Sequence, residues 1–286
     1  MFAPSIRRFS PLCLTLVALG LAGCETTSRG PSQRIAVVEE DTQGTSNVNI
    51  ASLSEVIQRN PNDPSAYNTR GAAYARVGRY NDAIADFNKA VQIDPNYAPA
   101  YTNRALAFRQ TNRNDQALAD FTRAIQADPN YGPAYIGRGN LLRAQNQFQE
   151  ALNDLSVAIR LLPESAEALH ARGLLYQRQG QHAQAILDFD ATIDRNPFVG
   201  APYAARGQSL VATGQFDKAI EDFNAALNVN NRDADSWAWR GMALERKGDR
   251  QQAIESYQRA LAIDSTNATA RQGQSRLQGG VASLFN

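Results

Sequence analysis

From Pro64 onward, small and apolar residues recur with two superimposed periods. The short period is helical, with apolar side chains three and four positions apart on one face. The long period is 34 residues. With Pro64 as place 1, units begin at 64, 98, 132, 166, 200 and 234, and six of them run without insertion to Asn267. Place 20 is alanine throughout: Ala83, Ala117, Ala151, Ala185, Ala219 and Ala253. Place 8 is Gly71, Ala105, Gly139, Gly173, Gly207 and Gly241. Place 24 is Phe87, Phe121, Leu155, Phe189, Phe223 and Tyr257, and place 4 is Tyr or Trp except at Leu169.

These positions predict a helical hairpin in each unit. Places 4, 8 and 11 share a face of a first helix, and places 20, 24, 27 and 28 share a face of a second. Small residues at 8, 20 and 27 let the two backbones approach closely, and the large residues at 4 and 24 fill the space beside them. Place 15 is always Gly or Asn (Gly78, Asn112, Asn146, Gly180, Gly214, Gly248). Those residues tolerate the left-handed conformation that closes a helix. Proline at place 32 of four units separates one hairpin from the next.

The combined pattern resembles the tetratricopeptide repeat. That resemblance implies an all-α, right-handed solenoid of six hairpins with capping helices at both ends. Residues 49–63 are expected to hold an N-terminal capping helix, with Leu53, Val56 and Ile57 at core places. Residues 268–286 are expected to hold a polar closing helix, stopped at Gly279-Gly280, and a short tail.

The N-terminus carries a different signal. Arg7 and Arg8 precede an apolar run from Leu12 to Gly20. The run is too short to span a bilayer and fits the core of a signal peptide. It ends in Leu21-Ala22-Gly23-Cys24, which resembles the lipobox of Gram-negative bacterial lipoproteins. The resemblance implies removal of residues 1–23 and acylation of Cys24. Glu25, rather than Asp, follows the cysteine. By the same resemblance this directs the protein to the outer membrane, facing the periplasm; the alternative is the periplasmic face of the inner membrane. Residues 24–48, rich in polar side chains, read as a flexible tether with a mean span of roughly 25–30 Å.

Composition narrows the chemistry. The chain has 29 basic and 28 acidic side chains, and 26 of the basic ones are arginine. A net charge of +1 does not suit a protein held mainly by nucleic-acid phosphates. Two cysteines cannot make a disulfide framework, and the two histidines stand apart, with no cysteine beside either to complete a metal site. No phosphate loop, nucleophile elbow or zinc-protease signature is present. The reading is therefore a non-enzyme without cofactor or metal, and His182 at place 17 is a packing residue.

Arginine occupies place 7 of every unit: Arg70, Arg104, Arg138, Arg172, Arg206 and Arg240. Aspartate occupies place 23 of five: Asp86, Asp120, Asp154, Asp188 and Asp222, with Ser256 in the sixth. Matching periods of opposite charge predict a ladder of ion pairs, a role for which arginine's planar fork suits better than lysine. Pairing within a unit and pairing with the preceding unit both satisfy the spacing. The rival is an arginine stripe that binds an acidic ligand.

The tetratricopeptide resemblance also implies a concave groove lined by places 2, 5, 9, 12 and 13. Here these places include Asn68, Arg76, Leu106, Arg109, Ile136, Asn140, Arg143, His170, Leu174, Arg178, Met242 and Arg246, with Thr102, Gln177, Gln208, Val211 and Glu245 beside them. Five arginines among apolar side chains suit an extended protein segment with acidic character. A second copy of the chain is a further candidate partner. The two-carboxylate clamp of chaperone-binding repeats requires Lys at place 5 and Asn at place 9, and Asn68 with Ala72 does not supply it. The lipobox and repeats together resemble envelope adaptors of the new-lipoprotein-I kind, which implies a scaffold for wall hydrolases or proteases. The alternative is an assembly factor for a secretin, a pilus or outer-membrane protein insertion.

Acylation is directly testable: labelled fatty acid is expected to mark the wild-type protein and not Cys24→Ala, which should persist as an uncleaved precursor. A wild-type protein that takes up no label would remove the argument for a membrane anchor.

Overall fold

The computed structural model describes residues 42–282, with side chains from 50 to 277. The signal segment, Cys24 and the tether up to Asp41 lie outside the described residues. Within them the chain forms fourteen helices and no strand. Helix α1 (Thr42–Arg59) precedes six hairpins. These are α2 (Pro64–Arg76) with α3 (Tyr80–Ile93), α4 (Ala98–Gln110) with α5 (Asn114–Ala127), and α6 (Gly132–Ala144) with α7 (Phe148–Leu161). Then follow α8 (Ala166–Arg178) with α9 (His182–Arg195), α10 (Gly200–Ala212) with α11 (Phe216–Val229), and α12 (Ala234–Lys247) with α13 (Arg250–Ile263). Helix α14 (Ala268–Ala282) closes the array.

Each hairpin is built as its periodicity requires. All six alanines at place 20 are fully buried, and the large residue at place 24 is at most 1% exposed. At Gly139 an added Cβ would stand 2.9 Å from Leu155 and 3.4 Å from the Ala151 carbonyl oxygen, so the paired backbones leave no room for a side chain. Every place-15 residue, Asn112 and Asn146 included, adopts positive φ, which reverses the chain between the two helices. First helices also touch the first helix of the next unit, whereas second helices do not touch each other. The stack therefore curves with its first helices on the inside.

The arginine ladder pairs within units. Arg138 donates from Nε and Nη2 to both carboxylate oxygens of Asp154, at 2.7 and 2.8 Å. The same fork joins Arg70 to Asp86, Arg104 to Asp120, Arg172 to Asp188 and Arg206 to Asp222. In three units the third nitrogen reaches back to place 25 of the preceding second helix. Arg104 meets Asn88 at 2.7 Å, Arg138 meets Thr122 at 3.3 Å, and Arg206 meets Asp190 at 2.6 Å. In five units the place-4 ring also lies against the guanidinium, as Tyr101 does on Arg104 at 5.3 Å. In the fourth unit, where place 4 is Leu169, Tyr176 takes over this contact with Arg172. The hydrogen bonds Arg138 donates to Asp154 hold it above its ordinary pKa. Arg240 has Ser256 and Asn224 instead of a carboxylate, and burial lowers its pKa.

Both ends of the array depart from expectation. Helix α1 begins at Thr42, inside the stretch read as tether and ahead of the cap expected at 49. No proline interrupts residues 42–49, and each residue added to an existing helix gains a backbone hydrogen bond. Among its residues with described side chains Ile50 and Ile57 are buried, while Val56, expected in the core, is 40% exposed. At the other end α14 continues through Gly279-Gly280 to Ala282. Glycine lowers helix propensity by about 1 kcal/mol without forbidding helical dihedrals. Helix α14 packs on α12 and α13, in the position of a seventh first helix.

Two substitutions test this packing. Ala151→Leu is expected to destabilise by about 1–3 kcal/mol through overpacking. Arg138→Ala is expected to cost about 2–4 kcal/mol, because it leaves the Asp154 carboxylate, with a side chain 9% exposed, without its fork. Thermal melts check both, and an unchanged melt for Ala151→Leu would contradict the assigned register.

Candidate functional site

The inner face is formed by α2, α4, α6, α8, α10 and α12, and the residues expected to line it fall into three groups. The first is an arginine row. Arg109 and Arg143 share place 12 of adjacent first helices, with Arg76 and Arg178 at place 13 on either side. Among the described residues none of the four forms an ion pair. Arg143 is half-buried, and its Nε is buried without a hydrogen-bond partner. Burial, with Arg109 and Arg178 on either side, pulls its pKa below the usual arginine value. Arg178 is exposed, lies 4.7 Å over the Phe148 ring and donates to Asn146. Arg76 and Leu106 border an opening of about 280 Å³ between the first two units.

The second group is polar and, His170 apart, already partnered. Asn68 accepts a hydrogen bond from Asn103 at 2.9 Å, and Asn140 donates to Glu167 at 3.1 Å. His170 packs on Phe189 at 5.6 Å between centroids, with Nδ1 buried and unbonded. Burial first, then the Arg143 charge, lower its pKa, so at neutral pH it is an uncharged ring. It borders a pocket of about 220 Å³ with Thr192, Val199 and Pro202. Glu245 is consumed at the C-terminal end, where Arg276 of α14 grips it with two hydrogen bonds and the Tyr257 hydroxyl donates to it at 2.6 Å.

The third group is apolar. Met242 and Arg246 border a cavity of about 380 Å³ with Gln177, Gln208, Val211, His182, Phe216 and Trp239. Sequence reasoning missed the last three. His182, read as packing, and Phe216 sit at place 17, the first residue of the second helix, which reaches the rim of the groove. Trp239 sits at place 6, where the other units carry Thr, Asn, Gly or Ala. The signal was present in that exception. Two expected groove residues turn inward. Ile136 is only 7% exposed and packs with Ala158 and Ala168. Leu174 is half-buried against Ala185, Phe189 and Ala205. Place 5 points partly into the seam between units, so an apolar residue there is drawn into the core.

The arrangement offers unpaired cations and an apolar cavity along one face. Among the described residues no group of three or more His, Cys, Asp or Glu side chains converges as a metal site would require.

Comparison with known proteins agrees with this architecture. Tetratricopeptide repeat models match residues 64–97, 98–131, 139–180, 166–198 and 204–268. No curated protein matches the chain. Among solved structures, Cut9–Hcn1 of the APC/C superposes with a TM-score of 0.67 at 20% identity, over 82% of this chain and 46% of that one. The chain thus spans less than half the length of that relative. PilW, described as a widely conserved type IV pilus biogenesis factor, superposes with a TM-score of 0.64 at 19% identity, over 73% of this chain and 97% of PilW. YrrB, described as having an unusual peptide-binding site, superposes at 0.60 with 23% identity, over 66% of this chain and 97% of YrrB. At these identities the likeness is one of fold.

The two arginine rows differ in a measurable way. Arg143→Gln is expected to leave thermal stability unchanged or raise it slightly at low salt, because it removes like-charge repulsion and no partner. A melting loss as large as that of Arg138→Gln would show that Arg143 is structural.

Proposed function

The chain belongs to the tetratricopeptide repeat family, and we propose that it is a lipid-anchored adaptor that holds a segment of a partner protein in its concave groove. The observation that carries this reading is the contrast between its arginine rows. Five of the six place-7 arginines are paired with an aspartate and all six are covered by rings, whereas the groove row has no carboxylate partner and flanks apolar openings. A fold that satisfies one set of arginines so regularly leaves the other available to a ligand. A protein segment with acidic character matches that row.

The lipobox supports attachment through Cys24 and residence at the outer membrane, facing the periplasm. A tethered, non-catalytic groove suits a scaffold that brings wall-remodelling or proteolytic enzymes to the envelope. A second reading, an assembly factor for a pilus or secretin, is favoured by the likeness to PilW, a pilus biogenesis factor, combined with the same lipobox.

Site-specific photocrosslinking on membranes tests both. A crosslinker at Gln208, inside the groove, is expected to capture a defined protein. A crosslinker at Leu187, 67% exposed on α9, is expected to capture none. Wall hydrolases or proteases in the crosslinked band support the first reading, and pilus or secretin subunits support the second. Capture from Leu187 alone would move the binding surface off the groove.

A further inference from the structure

The inner wall changes character along its length. Places 12 and 13 of α2, α4, α6 and α8 supply four unpaired arginines, the same places of α10 supply Val211 and Ala212, and Arg246 at place 13 of α12 stands alone beyond them. Beyond α8 the wall opens into the cavity lined by Val211, Phe216, Trp239 and Met242, with Arg246 at its edge, of about 380 Å³. That size falls in the range of pockets that enclose a ligand group, and its walls are mainly apolar. The buried Nδ1 of His182 lies unbonded in its lining. Helix α8 joins the two zones, because Arg178 ends the cationic row and Gln177 begins the cavity.

We propose that the groove recognises one extended protein segment by two features: carboxylates over Arg109, Arg143 and Arg178, and a large apolar side chain in the cavity between α8 and α12. This rests on the groove-binding reading above and specifies its ligand. Charge complementarity decides the first feature. Arg143 is held half-buried beside two like charges, a placement that a carboxylate bound on its guanidinium relieves by offsetting their repulsion. The second feature follows from removing apolar wall from water, since exposed charge pairs alone bind weakly.

Geometry sets the spacing. Arg143 lies on the third first helix and the cavity centres on the fifth. Packed helices stand about 8–10 Å apart, so the two features are about 20 Å apart. An extended chain rises about 3.3 Å per residue, which puts the apolar side chain about six residues from the carboxylate over Arg143 and about three from the one over Arg178. A single-stranded nucleic acid fits less well. It would track a continuous basic groove, and here the acidic Glu167 and Glu245 sit on the inner face.

The test uses the mature, lipidated protein in detergent and a fluorescein-labelled peptide with three glutamates set about three residues apart in Gly-Ser and one phenylalanine about three residues beyond the last. Binding is read by anisotropy. The peptide is expected to bind. Replacing its glutamates by lysine, or its phenylalanine by alanine, should weaken binding at least about tenfold. On the protein side, Arg109→Glu with Arg143→Glu should abolish the glutamate contribution and its salt dependence. Met242→Glu should abolish the phenylalanine contribution only. Melting curves confirm folding, and Arg109→Gln with Arg143→Gln replaces the first variant should it fail to fold. Absence of binding, equal binding of the lysine peptide, or tighter binding of an oligothymidine of similar length would overturn the proposal. If photocrosslinking from Gln208 still captures a partner in that case, the groove reading stands and only the two-feature ligand falls. If that capture is also lost, both fall.

Discussion

The arginine at place 7 is the constraint on which the array depends. Its guanidinium is planar and has more donors than one carboxylate can use. Two nitrogens grip the aspartate of their own hairpin, and in most units the third reaches the preceding second helix. One side chain thus ties three helices together at a distance-sensitive, angle-sensitive contact. Lysine, a point charge on a flexible stem, would fix neither the angle nor the third partner. The hydrophobic face draws each hairpin closed without direction, and the fork within the hairpin fixes its angle. The orientation of one hairpin on the next calls for a directional bond, and where the third nitrogen reaches place 25 of the preceding hairpin it supplies one.

That arrangement also defines the groove. With the first helices inside the curve and their place-7 arginines directed between the helix layers, places 12 and 13 are left on the open wall. Arginines there meet no ladder partner. The same residue type therefore has two fates within one repeat. At place 7 it is satisfied and half-buried. Nine or so ångströms further along the helix it is unpaired. At Arg143 the unpaired state coexists with partial burial, which makes it the most informative residue of the inner face. Toward the C-terminus the pattern ends. Glu245 occupies place 12 and is neutralised by Arg276 of the closing helix, so that part of the wall is occupied by the chain itself.

Much of this was legible from the periodicity. The hairpins, the small contacts at places 8 and 20, and the left-handed reversals at place 15 each follow from one residue type recurring at a fixed interval. What escaped were features carried by exceptions or by variable positions. Place 25 is Asn88, Thr122, Ser156, Asp190, Asn224 and Gln258, a set without a common charge, yet several of its members accept from the ladder arginines. Ile136 at a groove place is apolar enough to turn inward. His182, Phe216 and Trp239 form a cavity wall because residues from three repeats converge, and no single repeat contains that information. Helix α1 outruns its apolar stripe because helix extension needs only unhindered backbone.

The most direct measurement of the account is a double-mutant cycle between Arg138 and Asp154, read from equilibrium denaturation and set beside the cycle between Arg138 and Asp120. The fork within the hairpin predicts a coupling of about 1–3 kcal/mol for the first pair and a value near zero for the second. Coupling that is absent from Arg138 and Asp154, or larger for Arg138 and Asp120, would contradict the ladder and with it the division between structural and available arginines.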